Sequence, residues 1–182
     1  MVGRTRSSLH AALLVAVLGS AAWLAGRPLL FPSLGPSAFV LAAWPDQEES
    51  DPERVVLAHV VGVVAGLFAY HLLGHGHVVT TAVQPLSPQG FWLAASSVVA
   101  IALTVEGMAY FEVRHPPACA TTLIVSLGLL SSVVEGLFVV AAVVALVAVQ
   151  AVVTPSPRWT AKRVVERTRR VPSSENSRSS ED

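Results

Sequence analysis

Long apolar stretches govern what this chain can fold into. They run over residues 9–26, 55–73, 91–113 and 133–153, and each meets the roughly 20 residues that a helix needs to cross the hydrocarbon core. The first carries no charge, the second only His59 and His71, the third Glu106 and Glu112, and the fourth Glu135 and Gln150. Of 182 residues, 53% are hydrophobic and 13% charged, against roughly 25% charged in soluble domains. The charges that exist gather at the two ends or in short runs between the stretches. That pattern excludes a disordered chain, a nucleic-acid-binding domain and a typical cytosolic enzyme, and it predicts an all-α, polytopic membrane bundle. Cys119 is the one cysteine, so neither an intrachain disulfide nor a cysteine zinc site is available.

The first stretch follows Arg4 and Arg6, as a secretory leader would, but it is longer than the usual leader core and is expected to be a retained helix. Between the first and second stretches lies Arg27-Pro28 and then Phe31-Pro32-Ser33-Leu34-Gly35-Pro36-Ser37-Ala38. Between the third and fourth lies Arg114-His115-Pro116-Pro117-Ala118-Cys119-Ala120-Thr121-Thr122. Both passages are apolar enough to enter a bilayer, yet their prolines forbid continuous helix. Pro36 and Pro117, 81 positions apart, are each expected to open a short helix of small residues. The stretches that flank them repeat at a similar offset, so the chain reads twice as span, proline-broken segment, span: repeat 1 over about 9–73 and repeat 2 over about 91–153. Interrupted apolar segments at matching places in two halves are the best sequence pointer to a transporter's binding site.

Basic residues set the expected topology. Arg4 and Arg6 precede the first span, and Arg158, Lys162, Arg163, Arg167, Arg169 and Arg170 follow the last, which puts both termini in the cytoplasm of a multi-pass cell-membrane protein and requires an even number of crossings. Four spans with two re-entrant loops and six spans with two broken helices both satisfy that count. Residues 1–8 form the N-terminal segment, 9–153 the membrane domain, and 154–182 a basic juxtamembrane stretch with a polar tail expected to be disordered beyond Val171.

The Arg114–Ala118 run, followed by Thr121, resembles the signature of the HPP family of integral membrane proteins. Phe31–Ala38 resembles that family's first broken segment. Pro52-Glu53-Arg54-Val55-Val56-Leu57-Ala58-His59 resembles its next helix entrance, with Ala58 where a glycine commonly precedes the histidine. The resemblance covers about residues 9–153 and implies a helical membrane fold. Because plastid members of the family are associated with nitrite transport, it also implies a small inorganic anion as substrate.

Such an anion must exchange its hydration for hydrogen bonds. The amides at a half-helix N-terminus are suited to that: Ala118, Cys119 and Ala120 after Pro117, and Ser37 and Ala38 after Pro36. The expected path comprises Ser33, Gly35, Pro36, Ser37, His59, Glu106, Arg114, His115, Pro116, Pro117, Thr121 and Thr122. Hydroxyls would donate, Arg114 would attract the anion at the mouth, and His115 would donate a bond or couple transport to protons. Glu106 is the expected proton site or ion partner of His59. His71, His75 and His77 read as an interfacial turn rather than a metal site, and residues 46–53 as a solvated acidic loop. Gly62 and Gly66 suit close helix packing, within the chain or across a homo-oligomer. No cofactor, metal, nucleic-acid partner or catalytic residue is expected; the partners are the lipid bilayer and the anion. The runner-up is a structural or assembly protein that uses the broken segments for packing.

Overall fold

The computed structural model describes residues 2–26, 30–81 and 84–154, which are helices joined by turns and loops. The Arg27–Pro28 pair, the basic segment 158–170 and the tail lie outside the described residues. Helices α1 (Val2–Ala25), α2 (Leu34–Ala43), α3 (Pro52–Ala69), α4 (Pro88–Tyr110), α5 (Ala118–Ser126) and α6 (Val133–Val153) follow in order, with a 3-10 turn (Glu48–Ser50) before α3 and a π turn (Tyr70–Gly74) prolonging it. α1, α3, α4 and α6 are long and apolar enough to cross a membrane. α2 and α5, with 10 and 9 residues, fall short of the length a span needs. The chain is a polytopic helical membrane bundle, built twice from span, broken segment and span.

The sequence punctuates these helices locally. Asp51 accepts from the Glu53 amide ahead of Pro52, and Ser87 accepts from the Gly90 amide ahead of Pro88. Ser132 and Glu135 cap each other reciprocally at the start of α6. Each side-chain oxygen satisfies an amide that the first helical turn would leave bare. As expected, α5 begins directly after Pro117. The other break differs: α2 opens at Leu34, two residues before Pro36. A proline is tolerated there because an amide in the first turn has no helical acceptor to lose.

Contacts along α3 fix the direction of every other helix. The first turn of α3 and the turn that follows α4 meet where Arg54 bonds the Glu112 carbonyl. At the opposite end of α3, Val79 bonds the Leu127 carbonyl just beyond α5, and the His75 ring meets Trp92 near the start of α4. α4 therefore runs antiparallel to α3. α5 packs on Gly62 with Ala118 and on Gly66 with Val125, so it runs parallel to α3 and starts deep in the bundle. α2 runs the other way: Ser37 contacts His59, whereas Val40 accepts from Ser50 next to the α3 entrance. His10 near the start of α1 meets Thr154 at the end of α6, and Gln150 bonds Leu41 at the outer end of α2. Among the described residues the six helices thus alternate in direction, three in each half. An odd number of alternating helices per half relates the halves by inversion.

Leu14 and Leu18 of α1, Leu34 and Leu41 of α2, Val55 and Val63 of α3, and Val139, Val143 and Leu146 of α6 form the main core. Many large apolar side chains face outward, among them Trp23, Leu24, Val98, Tyr110 and Val152. In water such a surface would be an aggregation liability; around a bilayer-spanning bundle it is the lipid-facing side.

Candidate functional site

Three candidate residues from three separate elements converge on one point. Ser37 Oγ, on the second turn of α2, lies 3.3 Å from His59 Nε2 of α3 and 3.1 Å from His115 Nε2 of the second break. The two imidazole centroids are 5.1 Å apart. All three residues are fully buried. His59 sits seven residues into α3, about 10 Å from its start at 1.5 Å per residue. Both breaks thus deliver a polar side chain to the same interior point, beside a histidine of the central helix.

The backbone holds both rings. His59 Nδ1 is 2.8 Å from the Val55 carbonyl, one turn back in its own helix. His115 Nδ1 is 2.7 Å from the Glu49 carbonyl in the 3-10 turn. A carbonyl oxygen only accepts, so each Nδ1 carries the ring proton, and in the neutral rings each Nε2 is a bare acceptor facing Ser37. The Ser37 hydroxyl is also 3.0 Å from the Ser33 carbonyl.

A cavity of about 770 Å³ is lined by one member of the cluster, His115. It ends against His115 and Pro116, with Arg114 exposed on its wall; Glu48, Glu49, Arg54 and Glu112 line its mouth. Arg54 Nη1 bonds the Glu112 carbonyl at 2.8 Å and pairs with Glu48 at 3.3 Å. Glu112, a non-glycine residue at φ 53°, turns the chain from α4 into the break.

The other sequence candidates scatter. Ser33 and Thr121 are buried, and neither hydroxyl has a hydrogen-bond partner. Pro117 is buried at the α5 start, while Gly35 and Pro36 face outward. Thr122 bonds Thr104 of α4 at 2.8 Å and the Ala118 carbonyl at 3.2 Å. Glu106 is exposed on α4, and both ring nitrogens of His59 are engaged elsewhere, so Glu106 is not its ion partner. The amides after Pro117 are not free either, contrary to expectation. Those of Ala118, Cys119 and Ala120 bond the carbonyls of His115, Pro116 and Pro117, each at 3.0 Å. They are spent within a tight turn and do not form an open anion cradle. The Ser37 amide is likewise used, on the Ser33 carbonyl at 3.3 Å.

Sequence reasoning passed over a second polar seam. Ser96 donates to the Ser126 carbonyl, and Ser126 reaches Ser97, joining α4 to α5 below the Thr104–Thr122 pair. Ser96, Ala100 and Thr104 are all fully buried; their spacing of four was the available signal, since small residues at that interval mark a close helix interface. The histidines in and after the π turn form no metal-type cluster among the described residues: His71 Nδ1 bonds the Leu67 carbonyl, and His75 rests edge-on against Trp92.

The bundle is a multi-pass membrane protein made of two inverted span–break–span halves around a buried serine–histidine cluster. The model of the HPP family, transmembrane region, matches residues 1–161, and the chain belongs to that family. No curated protein and no solved structure matches it.

Proposed function

We propose that the protein moves a small inorganic anion across the membrane, with nitrite the first to test, through the cavity and past Ser37, His59 and His115. The observation that carries this reading is the buried cluster itself. Three buried polar side chains, one of which (His115) lines an open cavity, are costly in a bilayer, and both breaks contribute to the cluster. Arg54 and Arg114 stand along the approach beside Glu48, Glu49 and Glu112, and the unpartnered Ser33 hydroxyl is a donor in want of an acceptor. The cell membrane is the proposed location, with both termini cytoplasmic.

Proteoliposomes provide the test. Vesicles containing the protein should take up nitrite faster than empty vesicles at neutral pH, and His115→Gln or Ser37→Ala should bring the rate down to that background while the protein still purifies as a folded, monodisperse species. Equal rates with and without protein would sink the proposal.

One observation favours a second reading. The α5 amides are already bonded, and the Thr104–Thr122 and Ser96–Ser126 contacts are typical of helix packing. A structural role for the breaks predicts that no solute moves in the same vesicles.

A further inference from the structure

Ser37 offers one hydroxyl proton to three acceptors: the Ser33 carbonyl, His59 Nε2 and His115 Nε2. The Ser33 carbonyl already accepts from the Ser37 amide, so its loss is tolerable. The two ring nitrogens are different. With both Nδ1 protons committed to backbone carbonyls, the serine can satisfy only one Nε2, and the other is a buried acceptor with no donor, which is costly.

We infer that His59, Ser37 and His115 form a site for one shared proton, and that the anion is bound only when this proton is present. Adding a proton to either Nε2 completes the network. The new imidazolium N–H donates to Ser37 Oγ, and the serine hydroxyl donates to the remaining neutral Nε2. When the imidazolium proton shifts to Ser37 Oγ and the hydroxyl proton shifts to the other Nε2, the charge passes from one ring to the other without moving a heavy atom. A second proton has no place, because two cationic rings 5.1 Å apart repel each other strongly in a poorly solvated interior.

The second half of the inference rests on the anion reading. In the neutral cluster both ring lone pairs point at Ser37 Oγ and offer an anion no donor, and the nearby α5 amides are spent. The protonated cluster has one positive charge to set against one negative charge, so the loaded site is neutral. Burying a paired charge is far cheaper than burying a lone one. Transport is then one anion with one proton, driven by an inward proton gradient.

The charged groups facing the cluster fit this role. From the 3-10 turn come Glu48 and Glu49, from α3 Arg54, and from the end of α4 and the break Glu112 and Arg114, all on the cavity that ends at His115. The three carboxylates stand where protons would be collected. α2 has no titratable side chain, α5 has only Cys119, and α6 has its one carboxylate, Glu135, in its first turn at the opposite end of the bundle.

The experiment has two arms. Nitrogen-15 NMR of the full chain in lipid, with histidine signals assigned by His59→Gln and His115→Gln, should show both rings as Nδ1–H tautomers at high pH. As pH falls, the pair should take up one proton, with both Nε2 signals moving together, and Ser37→Ala should uncouple them. In the second arm, nitrite uptake above the empty-vesicle rate should rise by up to about tenfold per unit fall in outside pH while the site is mostly unprotonated, and should stay unaffected by membrane voltage. Rings that titrate independently, take up two protons, or hold Nε2–H tautomers at high pH would overturn the shared-proton site. Voltage-driven uptake indifferent to the proton gradient would overturn the coupling. A shared proton without any nitrite uptake would remove the transport reading and the coupling that rests on it, and leave the proton site standing.

Discussion

Gly62 and Ala118 meet without room for a single added carbon: a Cβ built on Gly62 would stand 2.9 Å from the Ala118 carbonyl oxygen, and 2.8 Å from Thr122 Oγ1. One turn on, a Cβ at Gly66 would meet Val125 at 2.8 Å. These glycines let α5 lie against the central helix inside one chain, settling which of the two packing roles open to them is used. The contact matters to the site because His59 lies one turn before Gly62 and His115 just before α5. The depth at which α5 seats on α3 sets the distance between the two rings.

Gly62→Ala is therefore expected to cost about 1–3 kcal/mol, the usual range for overpacking a tight contact, because one of the opposing atoms is backbone and cannot rotate away. Gly35→Ala is the matched control, since nothing lies within 4 Å of its Cβ position. Thermal unfolding in detergent should show a lowered transition for the first variant and a near-native one for the second. Equal transitions would mean that α5 does not seat on α3 in this way.

The two breaks are legible because proline forbids helix wherever it falls; the caps at Asp51, Ser87 and Ser132 that start α3, α4 and α6 came from the structure. The meeting of Ser37, His59 and His115 was not legible either. They are 22 and 78 residues apart along the chain, and no local pattern encodes a contact between them. The face of each long helix was also hidden. In water a helix shows its inner side by being apolar there alone, but α4 turns Val98, Leu103 and Val105 outward and buries Ser96 and Thr104, reversing that rule. Glu106 shows the same limit: its depth in the span is readable from the sequence, its exposed side is not. The spent amides after Pro117 were invisible too, since a proline marks a helix start without saying whether the preceding turn folds back on it.

Arg54 gives a prediction about the mouth of the cavity. Its bond to the Glu112 carbonyl is charge-assisted and holds the strained turn at the end of α4, whereas its ion pair with Glu48 joins two solvent-accessible side chains and is worth about 0–1 kcal/mol. Arg54→Gln should reduce nitrite uptake severalfold with little change in the amount of folded protein, and Glu48→Gln should stay close to the native rate. The reverse order would show that the ion pair, not the backbone bond, shapes the entrance.

The six-pass path can be checked without a transport assay. If α2 carried the chain back to the side from which the break entered, as a re-entrant loop does, residue 47 would emerge opposite the start of α1. The contacts of α2 instead lead it on to the entrance of α3, on the side where His10 meets Thr154. In a Cys119→Ser background, Thr5→Cys and Gln47→Cys should react with a membrane-impermeant thiol reagent from the same side of a sealed vesicle, and Thr80→Cys from the other. Each of these positions is exposed and lies outside the helices or at the very start of α1, so a substituted cysteine is reachable with little cost to packing. Labelling of Thr5→Cys and Gln47→Cys from opposite sides would make α2 a re-entrant loop and the two halves parallel rather than inverted. Same-side labelling fixes three crossings per half, the arrangement in which the two broken segments enter from opposite faces and meet at Ser37 and His115.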